Sequence, residues 1–112
     1  MSHHPRELTS VNAAPLFAAL GDATRLTLLS SLCNGKPQSI AQLTHGTGLS
    51  RQGVSKHLAV LEQARVVKSE RVGRENRFSV RSATLTKAAQ YLDRASQQWD
   101  DAIARLKQIV EE

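Results

Sequence analysis

Four side chains in the stretch Ser50 to Ala64, SRQGVSKHLAVLEQA, have the chemistry of recognition rather than of bond breaking: Arg51, Gln52, Ser55 and Lys56. A glutamine amide both donates and accepts, which suits the N6/N7 edge of adenine in a major groove, and a serine hydroxyl suits several base edges. Arginine and lysine suit phosphate oxygens. Val54, Leu58 and Leu61 recur at i, i+4 and i+7, which sets them on one side of a 3.6-period helix. Gln52, Lys56 and Ala59 fall on the opposite side, flanked by Arg51 and Ser55. Ser50 is a good N-cap for such a helix. An ordinary amphipathic helix with a solvated face would show the same pattern, so the rest of the chain must decide.

Charge points the same way. The 112 residues carry a net charge of +5, with a pI of about 10.0. From Ser39 to Arg81 eight Lys or Arg stand against three Glu, a balance of +5 for that segment alone. A basic surface suits a polyanion such as nucleic acid. Catalysis finds no support: there is no Ser/His/Asp or Cys/His/Asn set with a supporting motif, and Gly46-Thr47-Gly48 is too short to cradle phosphates. The single cysteine, Cys33, excludes an intrachain disulfide. Because it lies on an apolar stripe it is expected to be buried and inert. No run of about 18 apolar residues is present, so no membrane span is expected. The opening MSHHPRELTS lacks the apolar stretch of a signal peptide, and a cytoplasmic location is expected.

The elements that must position the recognition residues follow in order. Residues 1–12, including His3 and His4, are expected to be loose. Residues 13–112 form a single expected domain, within the usual size of one. Pro15 fits the first turn of a short helix carrying Leu16, Phe17 and Leu20, stopped by Gly21. Asp22 caps a second helix on which Leu26, Leu29 and Cys33 are expected to face inward, with Leu28 and Leu32 on a neighbouring stripe. Ser39 caps a third, with Ile40 and Leu43 inward. His45-Gly46-Thr47-Gly48 reads as a tight turn with two residues free to take positive φ. Short helix, glycine-containing turn and the helix at Ser50 make a helix-turn-helix over 39–64.

Val66 to Val72 and Asn76 to Val80 are β-prone, with Gly73-Arg74-Glu75 between them. This predicts a two-stranded hairpin over 66–80, with Arg71, Arg74 and Arg77 near its tip. Placed directly after a helix-turn-helix, a basic hairpin reads as a wing; a charged edge hairpin that resists aggregation is the alternative. The last helix, over 84–110, carries a heptad: Leu85, Leu92, Trp99 and Leu106 at one position, Ala88, Ala95, Ala102 and Ile109 at the other, widened by Ala89, Ile103 and Val110. About 26 residues span about 39 Å, more than one small domain needs. The seam predicts pairing with a second copy of the chain; packing on its own domain is the alternative. The expected fold is mainly α, a winged helix-turn-helix with a two-stranded β wing and a long C-terminal dimerisation helix.

The segments LFAALGDATRLTLLSSL and SIAQLTHGTGLSRQGVSKHLAVLEQARVVKSERVGRENRFSV resemble the ArsR/SmtB-type bacterial winged-helix regulators over residues 14–82. The resemblance implies a homodimer built on the first and last helices, with Leu16 joining Leu85, Leu92, Ala95, Trp99, Ala102, Ile103 and Leu106 at the interface. It implies a repressor that binds an inverted-repeat operator in double-stranded DNA and is released by an effector. Gln52, Ser55 and Lys56 match the family's reading positions, and Arg74 and Arg77 its wing. His57 also falls in the motif, nearer the core side than Lys56, where a structural or phosphate-contacting role suits it.

Many relatives sense metals, and this chain departs from them. Ser39 to His45 has no Cys-x-Cys pair, and the last helix has Asp93, Asp100 and Asp101 but no histidine. Cys33, His45, His57 and the His3-His4 pair have no spacing of a closed site. No metal and no cofactor is expected, and the effector cannot be read from the sequence. Two other readings stand beside this one: a winged helix that binds an acidic protein partner, and a thiol- or metal-responsive repressor on the same frame.

Overall fold

The computed structural model describes residues 7–111. Five helices and a small sheet follow in order: α1 Ser10–Leu20, α2 Ala23–Leu32, β1 Gln38–Ser39, α3 Ile40–Thr47, α4 Arg51–Gln63, β2 Val67–Val72, β3 Glu75–Val80 and α5 Ser82–Glu111. The sheet is antiparallel in the order β1-β3-β2. It therefore has three strands rather than the expected two, because Gln38 and Ser39 pair with Phe78 and Arg77.

Residues 1–6 of the segment expected to be loose lie outside the described residues. Residues 10–12 of it are helical. The Thr9 hydroxyl accepts from the Asn12 N–H at 3.3 Å and caps α1 there, so Pro15 sits inside the helix rather than in its first turn. Proline cannot donate to the Val11 carbonyl, but Val11 is 79% exposed and water can serve that group. On α2 the Asp22 cap stands as expected, but the buried stripe is Leu28, Leu29 and Leu32. Leu26 is 47% exposed and Cys33 is exposed at the helix end, which corrects the expectation of a buried thiol. The two stripes share Leu29 and lie too far around the helix to be buried together; packing against α3 and α4 selects the one with Leu28 and Leu32.

The start of α3 carries a full capping box: Ser39 Oγ accepts from the Gln42 N–H, and Gln42 Oε1 accepts from the Ser39 N–H. The helix runs through Gly46 to Thr47, further than expected, and only Gly48 takes positive φ, at 72°. In the hairpin the turn shrinks to Gly73-Arg74, with positive φ at Gly73 alone, and Glu75 joins the strand.

Val54, Leu58 and Leu61 of α4 are all 0% exposed and lie against Leu28, Leu32, Leu43, Val66, Val67 and Phe78. Full burial of each such side chain contributes about 1.5–3 kcal/mol, so this face fixes how α4 is rotated. The helix ends in a Schellman motif: Arg65 N–H donates to the Glu62 carbonyl at 3.0 Å, and Val66 N–H to the Leu61 carbonyl at 2.9 Å. Arg65 stands where glycine is usual, at φ 63°.

The first turns of α5 are anchored, with Ala88 buried and Leu85 packed against the core. Tyr91 meets Phe17 of α1 with ring centroids 5.8 Å apart, and Arg94 donates to the Leu8 carbonyl at 2.9 Å. Beyond Tyr91 the apolar seam is bare: Leu92 is 55%, Trp99 67%, Leu106 62% and Ile109 70% exposed. The radius of gyration of 18.2 Å exceeds the roughly 13 Å of a compact chain of this length.

Replacing Arg65 by glycine removes left-handed strain of about 1–2 kcal/mol, partly offset by the freedom glycine adds to the unfolded chain. Arg65→Gly is expected to raise unfolding free energy by about 0.5–1 kcal/mol, read as a higher denaturant midpoint. A lower midpoint would mean that the arginine side chain contributes more than its backbone costs.

Candidate nucleic-acid interface

Because the inner face of α4 is fully buried, its outer face is determined. Arg51, Gln52, Ser55 and Lys56 are all exposed. Gln52, Ser55 and Lys56 line one shallow recess together with Ser50 and Gly53. The first turn is held by Ser50 Oγ, which accepts from the Gly53 N–H at 3.0 Å. A Cβ on residue 53 would lie 3.0 Å from that same oxygen, so glycine there serves the cap and also keeps the outer surface low.

Arg51 looks toward the wing. It shares a recess with Ser39, Ile40 and Ala41 of the α3 start and with Arg74, Glu75 and Asn76 of the hairpin. Helix and wing are thus brought together at Arg51 and Arg74. The other two wing arginines are not together. Arg71 pairs with Asn76, and Arg77 with Glu70. Directly paired residues share a face and neighbours alternate, so Arg71 and Arg77 stand on opposite faces of the hairpin. Arg77 is also engaged, its Nε 3.5 Å from Glu75 Oε2. Asn76 also lines the recess, a position that sequence reasoning passed over; the expected three-residue turn would set it opposite Val72, and only the two-residue turn pairs it with Arg71.

His57 turns inward. It is half-buried, with Nδ1 3.3 Å from Nη1 of Arg25 and 3.9 Å from Asp22 Oδ2. Arg25 was also missed by sequence reasoning. Its guanidinium donates to the carbonyls of Ala18 and Ala19 at the end of α1, while its own N–H donates to Asp22 Oδ2 at 3.0 Å. One side chain thus ties α1, α2 and α4 together. Hydrogen-bond donation from the Arg25 backbone N–H, aided by the positive charge of Arg25, holds the Asp22 carboxyl below the usual carboxylate range.

Among the described residues no three His, Cys, Asp or Glu side chains converge to hold a metal ion, and no helix is long and apolar enough to cross a membrane. Of the side chains expected at a dimer interface, Leu16 is 5% exposed and Leu85 is half-buried; both pack in this chain's own core, because α1 and the start of α5 close over it. Leu92, Ala95, Trp99 and Leu106 are exposed, and Ala102 and Ile103 half-buried.

A glycine-capped helix-turn-helix whose second helix presents amide, hydroxyl and cationic groups, stitched by a strand to a basic hairpin, defines a winged helix-turn-helix DNA-binding protein. Residues 22–69 match the family model of bacterial regulatory proteins of the arsR family. The chain is 39% identical to an ArsR-like transcriptional regulator from Rhodococcus sp. RHA1, whose structure it matches with a TM-score of 0.80 over 88% of this chain and 92% of that one. It is 36% identical over 69 residues to the uncharacterised HTH-type transcriptional regulator YuzN of Bacillus subtilis, covering 56% of this chain and 75% of the relative. It is 39% identical over 67 residues to a probable mercury resistance operon repressor of Streptomyces lividans, covering 60% of this chain and about half (53%) of that relative. The chain belongs to the ArsR family of DNA-binding transcriptional regulators, which are not enzymes.

A carboxylate whose pKa is lowered by folding stabilises the native state above its unfolded pKa, about 3.9, and that contribution is lost as pH falls through the lower folded value. Asp22→Asn keeps an N-cap acceptor but removes the charge. The variant is expected to be less stable than the parent at neutral pH, and the difference to close as pH drops through the lowered pKa of Asp22. Denaturation at a series of pH values reads this; a gap that stays constant into acid would assign the effect to cap geometry alone.

Proposed function

We propose that the protein is a homodimeric repressor that binds an inverted-repeat operator and leaves it when an effector arrives. The observation that carries this reading is the joint exposure of Gln52, Ser55 and Lys56 on an α4 whose rotation is fixed by its buried face. In the complex, α4 lies in the major groove. Gln52 and Ser55 reach base edges, with Gln52 on adenine. Arg51 and Lys56, with the Ser55 hydroxyl, hold phosphates at the groove edge, and Arg74 and Arg71 hold the flanking backbone. Arg77, paired with Glu75, contributes less. His57 holds α4 to Arg25 and does not read bases. Repression follows from occlusion of the polymerase, in keeping with the name of the Streptomyces relative.

The second copy packs along α5. Supporting this is the bare seam from Leu92 to Ile109 and the radius of gyration. A structure matching this fold at 19% identity, from Mycobacterium bovis, is described as a homodimeric winged helix-turn-helix domain. Pairing along α5 sets the distance between the two reading helices, and so a half-site spacing near one helical turn or a multiple of it.

Gln52→Ala is expected to cost about 1–3 kcal/mol on the operator and to relax choice at one base pair. Equal weakening on random DNA would remove Gln52 from the readers. With about four phosphates neutralised per subunit, the slope of log K against log salt should be about −7, and Arg74→Ala, which removes one contact from each subunit, should flatten it by about two; an unchanged slope would take the wing off the DNA. Trp99→Asp is expected to give monomers by sedimentation and to lose operator affinity, whereas an intact dimer would refute the α5 interface.

A further inference from the structure

A cavity of about 410 Å³ opens between the end of α2, the end of β3 and the first turns of α5. It lies within the usual range of small-molecule sites. Leu32, Val80 and Leu85 give it apolar walls, and Ser82, Thr86 and Cys33 are exposed beside them. Among the described residues no charged side chain is in its lining, although the chain carries +5 overall. A metal ion or a free anion finds no counter-charge there, while an uncharged molecule gives up little solvation on entering. The bare part of the α5 seam begins at Leu92, about 9 Å along the helix from Thr86; of the side chains expected at the interface only Leu85 lines the opening, and it packs against this chain's own core.

We propose that this cavity binds a small, uncharged, largely apolar molecule with a polar group at its mouth, and that its occupancy controls DNA binding. The regulatory half rests on the DNA-binding reading above. Its physical basis is the join between β3 and α5, which is a single residue. The Arg81 N–H donates to the Val66 carbonyl at 2.9 Å, and its carbonyl accepts from the N–H groups of Thr84 and Leu85 at 3.1 and 3.4 Å. A ligand wedged between Val80 and Leu85 turns the wing relative to the helix that spaces the two reading heads. The wing cannot turn alone, because β3 also carries β1, which opens directly into α3.

Cys33 is the only cysteine and lines the cavity, so it reports occupancy without any DNA present. The test uses 2-naphthol, neutral at pH 7, as the probe. The rate at which iodoacetamide alkylates Cys33 is followed by mass spectrometry. The probe is expected to slow it saturably, by about fivefold at about four times its Kd. Thr86→Trp, a change at an exposed position on the rim, is expected to abolish the protection while leaving helical circular dichroism and Tm unchanged; Ser82→Trp serves if that variant fails to fold. On DNA selected by the unliganded protein from a random pool, the probe is expected to weaken binding by the parent and not by the tryptophan variant. Absence of protection, or protection that persists in both variants, overturns the site. Alkylation that slows with rising protein concentration and no probe also overturns it, in favour of a second copy covering the cavity. Protection with unchanged DNA affinity overturns the regulatory half. Failure to select any DNA sinks the DNA-binding reading instead, and the protection result still decides the site.

Discussion

The structure depends on one helix having to face two ways. Val54, Leu58 and Leu61 leave water completely, and each 100° step along α4 moves the next side chain to a different flank. A shift of one residue in that packing would carry Ser55, Ala59 and Glu62, or Gly53, His57 and Val60, toward Leu28 and Leu43, where an unpaired carboxylate or imidazole costs far more than the contacts return. The apolar face therefore has one acceptable rotation. The identity of the outer groups, Gln52, Ser55 and Lys56, is a consequence of that rotation. Recognition and folding are written in the same thirteen residues.

Polar contacts add to this packing, and they act at both ends of the motif. Ser39, 5% exposed, caps α3 with its side chain while its backbone belongs to the strand beside β3. The helix-turn-helix and the wing thus share a residue and move as one body. On the other side Arg25 gathers the carbonyl end of α1, the N–H end of α2 through Asp22, and His57 of α4. The placement also suits the helix dipoles: a guanidinium lies at the negative end of α1 and a carboxylate at the positive end of α2.

Much of this was legible in the sequence, for definable reasons. The α4 face, the hairpin and the heptad of α5 each repeat a short period many times, and repetition survives the loss of all tertiary information. Where reading failed, a single contact decides. Pro15 signals a first turn, but Thr9 offers a better cap six residues earlier. On α2 two leucine stripes overlap, and periodicity cannot say which one meets α3 and α4, so the pattern points Leu26 and Cys33 inward although both are exposed. The strand β1 is two residues long and leaves no pattern. Arg25 and His57 lie 32 residues apart, and nothing local in either predicts the other. The two glycines flanking Thr47 suggest a longer turn than the helix-turn-helix has, because only Gly48 takes positive φ there.

The first and last parts of α5 answer different requirements. Leu85 and Ala88 complete this chain's own core, Tyr91 meets Phe17 of α1, and Arg94 donates to the Leu8 carbonyl just before α1. Beyond Arg94 the helix continues for about five turns with Trp99, Leu106 and Ile109 exposed. An isolated helix of that length is marginal in water, and an apolar stripe along it adds to the cost of leaving it bare. In the proposed dimer, one rigid rod satisfies both halves: it is rooted in each reading head and paired at its far end, so the spacing of the heads on DNA is set by helix geometry rather than by a linker. The same arrangement makes the root the sensitive point. Anything that alters the angle at Val80 to Leu85 is multiplied along about 45 Å of helix, which is why a cavity at that join matters more than its size suggests.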